Sequence, residues 1–207
     1  DSDRTLVMGV LNITEDSFSD GGLWLDPANA KAHGEAMMKD GADIIDIGAE
    51  STRPGAKRVS EEDEQTRVLG AVDALIPEGT VLSIDTTRAS VARMALEHGA
   101  QIINDVSGGR LDREVPHVVA EHSESLYIVQ HWRGWLAGSA GDVPDADTSV
   151  YANGVVDDVY DELMKQVDDV LQAGVSPSQI IIDPGLGFSK PSVEHNFPLM
   201  TALERFN

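Results

Sequence analysis

The segment that decides the fold is Thr80–Ile84 (TVLSI), the polar turn Asp85-Thr86-Thr87-Arg88, the stretch Ser90–His98 (SVARMALEH), Gly99, and Gln101–Asn104 (QIIN). A short β-branched run, a helical stretch closed by glycine and a second apolar run make one strand–helix–strand unit. The same alternation extends in both directions. Toward the N-terminus lie a strand at Thr5–Ile13, a helix at Ala28–Lys39, a strand at Ala42–Ile47 and a helix at Glu61–Leu75. Toward the C-terminus lie a helix at Val115–His122, strands at Leu126–Gln130 and Ile180–Ile182, a helix at Val155–Ala173 and a helical segment at Glu194–Arg205. Apolar strands separated by helices indicate an α/β fold with a parallel sheet covered on both faces. Two architectures fit: an open doubly wound sheet, or a (β/α)₈ barrel, which typically needs ~250 residues. Arg133–Asn153 is the one long polar loop, and loops of that length are expected to be functional or mobile.

Composition narrows the function classes. The chain has 207 residues, 41% of them hydrophobic, which suffices for one sizeable core. Its formal charge of −21 argues against a nucleic acid or an anionic membrane as the main partner. Any anionic substrate would need local Arg or Lys, or a metal ion, to offset that field. The chain contains no cysteine, which removes disulfides, thiolate-bound metals and thiol nucleophiles. No apolar run approaches the ~18 residues of a membrane span, and the first residues do not read as a secretory signal. The expected location is cytoplasmic.

The polar residues gather at one place in every unit. The strands run, in order, into Asn12, into Glu50-Ser51-Thr52-Arg53-Pro54-Gly55, into Asp85, into Asn104-Asp105, into Gln130-His131 and into Asp183-Pro184-Gly185. That is the C-terminal edge of the sheet, where α/β enzymes build their sites. Each of these groups alone reads as a cap or a turn, and for Asp16, Asp85 and Asp105 that is the default. Six successive loops carrying them indicate a site. Asp85, Asn104 and Asp183 offer two carboxylates and an amide, a set suited to a flat heterocycle with amino and ring N–H donors. Asn12, Thr52 and Arg53 add a metal ligand, a hydroxyl and a cation for an anion. His131 is the histidine placed at a strand end. Gly185-Leu186-Gly187 lacks the rest of a dinucleotide fingerprint, and no phosphate loop, zinc signature or serine-hydrolase elbow is present.

Five ordered motifs resemble the dihydropteroate synthase family: Met8–Thr14 with Asp16–Gly22, Glu50–Ala56, Ser83–Thr86, Ile103–Gly109 and Asp183–Phe188. The resemblance covers the chain from Val7 onward. It implies a TIM barrel that joins 6-hydroxymethyl-7,8-dihydropterin diphosphate to 4-aminobenzoate, giving 7,8-dihydropteroate and pyrophosphate with Mg²⁺. By position it implies that Asp85, Asn104 and Asp183 hold the pterin, with Asp85 also stabilising the developing cation. Asn12 would ligate the Mg²⁺ and Thr52 would contact the pterin diphosphate. Ser51, Thr52, Arg53, Pro54 and Phe18 would line the aminobenzoate site. The related reading, a corrinoid-linked methyltetrahydrofolate methyltransferase, does not account for Asp16–Gly22 and Ser51–Pro54. A third reading is a non-catalytic pterin-binding paralogue.

The sequence departs from the family pattern at Gln130, where Met is usual, at Glu15 and at Ala49. The family continues for two more βα units, bearing Ser-Arg-Lys and Arg-x-His motifs that are not found in residues 1–207. The chain is therefore expected to be one pterin-binding barrel domain, C-terminally incomplete, with six of eight units, and a homodimer when full length.

Overall fold

Six strands lie side by side in sequence order and all run parallel. The computed structural model describes residues 4–14, 27–50, 58–133 and 148–206. The elements are β1 (Met8–Asn12), α1 (Pro27–Lys39), β2 (Ile44–Gly48), α2 (Glu61–Leu75), β3 (Val81–Asp85), α3 (Ala89–Glu97), β4 (Ile102–Asp105), α4 (Glu114–Glu121), β5 (Leu126–Gln130), α5 (Val155–Gln172), β6 (Ile180–Asp183) and α6 (Val193–Thr201). A doubly wound sheet reverses its strand order part-way, whereas a barrel does not. The order β1-β2-β3-β4-β5-β6 is that of a barrel wall, with β1 and β6 as its outer strands among the described residues.

Alternation along each strand separates two environments. Leu11, Ile45, Ile47, Leu82, Ile84, Ile103, Tyr127 and Val129 point outward and are buried against Val68, Val72 and Leu75 of α2, Val91 and Ala95 of α3, Val115 and Val119 of α4 and Leu163 of α5. The opposite face carries Asn12, Asp46, Ser83, Asp85, Asn104, Gln130 and Asp183 by the same period. The helix side of the strands is apolar apart from Asp105, whereas the inner face mixes these polar groups with Val10, Ile102, Ile128 and Ile181.

The element boundaries differ from expectation where local signals compete. β1 starts at Met8 rather than Thr5, because Leu6 and Val7 are half-exposed and lack a full strand partner. The C-terminal helix ends at Thr201, and Leu203–Phe206 continues as a 3₁₀ turn. Pro198 sits inside that helix and can donate no backbone bond, which weakens its last turns. No helix among the described residues is long and apolar enough to cross a membrane.

The turn reading of Asp105 holds. Its buried carboxylate points outward and accepts from Ser107 N (2.8 Å), Ser107 Oγ (2.7 Å), Gly109 N (2.8 Å) and the Tyr127 hydroxyl (2.8 Å). It fixes the β4–α4 turn while β4 presents Asn104 to the other side. Asp105→Ala leaves these donors buried without an acceptor, so we expect a loss of about 3 kcal/mol or more of stability. An unchanged urea midpoint would contradict this role.

Candidate active site

One register row crosses the mouth of the sheet: Asn12 pairs with Gly48, Gly48 with Asp85, and Asp85 with Asn104. Gly48 keeps the row open. A Cβ there would lie 3.3 Å from Asn12 Oδ1 and 3.5 Å from Asp85 Oδ2. On the far side Gln130 pairs with Asp183, whose Oδ1 accepts from Gly185 N at 2.7 Å. The structure therefore brings Asn12, Asp85, Asn104 and Asp183 to one edge and one face.

Asp85 does not serve as a helix cap. The first amides of α3 are answered elsewhere: Ala89 N donates to Asp112 Oδ2 (2.8 Å) and Arg88 N to Thr86 Oγ1 (3.2 Å). Asp85 is instead packed among like charges. Burial, then Asp46, Asp105 and Glu50, push its carboxyl well above the usual range. Burial also raises Asp183, against the opposing pull of Gly185 N–H and Lys190.

Asp46 joins this candidate site, and the sequence reading missed it. It lies mid-strand in β2, is 5% exposed, and its Oδ2 accepts from Asn104 Nδ2 at 3.1 Å. Burial raises its carboxyl too. Among the described residues, Asn104 Oδ1 and Gln130 Nε2 on this face are buried without a hydrogen-bond partner, and Asp46 Oδ1 and Ser83 Oγ have at most each other. Buried polar groups are almost always satisfied, so under-bonded atoms gathered on one face make it a candidate for a polar ligand. The acceptors outnumber the donors, which matches a ring edge bearing several N–H groups.

One oxygen at this edge is of the kind that a magnesium ion shared with a ligand takes. Among the described residues no group of three His, Asp or Glu could cage a metal. Asn12 offers one hard oxygen at the exposed rim, and Mg²⁺ commonly takes one or two protein oxygens while keeping waters and substrate phosphates.

A second layer braces the loop roots. Glu50 accepts from Arg58 Nε and from Val59 N, both at 2.9 Å, so one carboxylate ties the two flanks of residues 51–57. Arg88 pairs with Glu50 and with Glu64, donates to Val59 O (2.9 Å), and Glu64 accepts from Thr86 Oγ1 (2.6 Å). Phe18, Ser51, Thr52, Arg53 and Pro54 lie outside the described residues, as do Glu15 and 134–147 of the long loop. The flanks of that loop are joined: Arg133 Nη1 donates to Thr148 O (2.9 Å) and Val150 O (2.7 Å).

Comparison with known proteins agrees with this geometry. Residues 8–207 match the model of the family described as pterin binding enzyme. The chain belongs to the pterin binding enzyme family. It is 47% identical over 197 residues to dihydropteroate synthase of Mycobacterium leprae, covering 95% of this chain and 66% of that protein. It thus spans just under two thirds of that relative. Dihydropteroate synthase of Clostridium difficile, solved in the presence of pteroic acid, superposes with a TM-score of 0.84 at 33% identity, covering 98% of this chain and 72% of the other. The Xanthomonas albilineans enzyme with 4-aminobenzoic acid gives 0.84 at 36% identity, covering 99% and 69%. Within the pterin binding enzyme family, the six-strand wall seen here is part of a TIM barrel.

Glu64 is 1% exposed, so its charge depends on Arg88. Arg88→Met is expected to destabilise the fold by about 3–5 kcal/mol, the usual cost of stranding a buried partner. A chemical-denaturation midpoint within error of the parent would contradict this.

Proposed function

We propose that this chain carries the pterin-binding part of a dihydropteroate synthase. The reaction would displace diphosphate from 6-hydroxymethyl-7,8-dihydropterin diphosphate by 4-aminobenzoate, forming 7,8-dihydropteroate. The observation that carries this reading is the set of under-bonded buried acceptors beside Asp85, Asn104 and Asp183. A pterin edge, with an amino group next to ring N–H, supplies the donors this set lacks.

In this reading Asp85, Asn104 and Asp183 hold the ring, with Asp46 orienting Asn104. The C–O bond to diphosphate breaks, the C–N bond to the arylamine forms, and the amine loses a proton. Asp85 stabilises the positive charge that develops on the pterin methylene, an electrostatic role that needs no protein nucleophile. Asn12 would hold Mg²⁺, which when bound offsets the charge of the departing diphosphate. Thr52 would contact the diphosphate, and Ser51, Thr52, Arg53, Pro54 and Phe18 would line the aminobenzoate site, closed off from water that could trap the cation. The flanks of residues 51–57 are braced by Glu50, which supports a role for that segment. A cytoplasmic location and a homodimeric assembly belong to the same proposal.

The direct test is incubation with the pterin diphosphate, 4-aminobenzoate and Mg²⁺, followed by mass detection of dihydropteroate. Product formation is expected, and Asp85→Ala should lower it by a factor on the order of 10² or more. Tight pterin binding without product would favour a non-catalytic pterin-binding protein, and near-normal turnover by Asp85→Ala would remove the assigned role. The raised Asp85 carboxyl gives a pH signature with a definite sign. Ring N–H donors and the developing positive charge favour the ionised form of Asp85, so binding should release a proton and affinity should rise with pH through the free-state titration of Asp85. Calorimetry in buffers of different ionisation enthalpy reads this; proton uptake would contradict it.

A further inference from the structure

Lys190 lies in the polar run Ser189-Lys190-Pro191-Ser192, yet it is 1% exposed. Removing an ammonium from water costs several kcal/mol unless it is fully bonded. Its Nζ reaches three acceptors: Gly185 O at 2.9 Å, Phe188 O at 2.9 Å and His131 Nδ1 at 3.0 Å. His131 is itself fully buried, and its Nε2 lies 2.9 Å from Glu162 Oε2. Glu162 in turn accepts from Arg133 Nε (2.9 Å) and Nη2 (2.8 Å).

The protons in this chain can be placed by counting donors. Burial tends to raise the Glu162 carboxyl, but hydrogen bonds from Arg133 and His131 hold it below its usual range, so it only accepts. The His131 proton is therefore on Nε2. Burial, then Lys190, lowers His131 to about 4, so the ring is neutral at pH 7 and Nδ1 is an acceptor. Nζ must then donate all three bonds, which requires the ammonium form. Burial lowers Lys190 to about 7, with Asp183 opposing that shift, so the fully bonded ammonium form prevails below that pH.

The two carbonyls that Lys190 holds span the turn after β6. Phe188 N donates to Gly185 O (3.1 Å), and Gly185 N donates to Asp183 Oδ1 (2.7 Å). Gly185 has φ 69°, and a Cβ there would lie 2.7 Å from His131 O, so the turn is pressed against the end of β5. The charged groups facing Lys190 are Asp183 from β6, Glu162 from α5 and Arg133 following β5.

We propose that Lys190 is the positioning residue for Asp183. Its buried ammonium, oriented by His131, Glu162 and Arg133, holds the Gly185 and Phe188 carbonyls and so locks the turn that presents Asp183 to ring N–H donors. The lock is a claim about this chain alone, while its use rests on the proposed pterin site.

Two measurements separate the claims. The ¹⁵N NMR shifts of His131 report its tautomer without any ligand: the Nε2–H neutral form is expected, and the Nδ1–H form or the imidazolium at pH 7 would overturn the chain. Calorimetric titration with 6-hydroxymethyl-7,8-dihydropterin diphosphate reads the consequence. Lys190→Ala should weaken binding by about tenfold or more. Added propylammonium should restore part of the affinity, whereas propanol, which fills the same space without charge, should not. Unchanged affinity in Lys190→Ala, or equal rescue by propanol, would overturn the role of the ammonium. Where Lys190→Ala fails to fold, Glu162→Gln at the outer end of the chain is expected to weaken pterin binding by about threefold and to relax the His131 tautomer; no change in either would overturn the relay. Absence of pterin binding by the parent chain would overturn the functional reading and the use made of the lock, leaving the NMR result to decide the lock itself.

Discussion

Carboxylates taken out of water lose hydration, and this protein places Asp46, Asp85 and Asp183 on one face of a parallel sheet, with Asp46 also repelling Asp85. Nothing within the described residues fully compensates them. Asn104 answers one oxygen of Asp46, and Gly185 N–H answers one of Asp183. The remainder is a standing demand for hydrogen-bond donors, and it sets the chemistry of any ligand that lowers the energy of this face. A functional site that is costly when empty is the usual origin of ligand affinity and of shifted carboxyl groups.

The rest of the fold bears that cost. The outward halves of the strands bury Leu, Ile and Val against the surrounding helices, and this apolar layer stabilises a sheet whose inner face carries the carboxylates. The ends of β2 to β6 are then held by buried side-chain hydrogen bonds and ion pairs. Asp105 fixes the turn after β4 through four donors, and Gln166 of α5 reaches the Gln130 carbonyl (2.9 Å) and Trp132 N (3.1 Å) after β5. Glu50, Glu64 and Arg88 brace the ends of β2 and β3, and Lys190 locks the turn after β6. The charged clusters behind the sheet are thus scaffolding for the few groups in front of it.

Much of this was legible in the residues. Alternating apolar runs and helical stretches gave the strand and helix order, and the recurrence of Asn12, Asp85, Asn104 and Asp183 at strand ends pointed to the edge on which the structure gathers them. The choice between barrel and doubly wound sheet was not legible from local pattern, because both share the same units; strand order decided it. Asp46 was missed because a carboxylate inside an apolar strand gives no motif, and only the register with Ser83 places it beside Asn104. Lys190 was missed because a lysine between serine and proline reads as a solvated loop, and its burial arises from β5, α5 and the β6 turn converging on it. The capping default for Asp85 failed because Asp112, distant in sequence, supplies the acceptor.

The central claim is that the under-bonded polar atoms on the inner face meet the pterin edge. The most direct measurement follows the side-chain amide signals of Asn104 and Gln130 by ¹H–¹⁵N NMR during titration with the pterin diphosphate. The account expects both to shift together and to saturate with one site. A cavity of about 230 Å³ on the outer surface, between Pro116 and His117 of α4 and Asp169 and Gln172 of α5, offers the alternative. Silent Asn104 and Gln130 amides, with the shifts gathered around that outer cavity, would contradict the account.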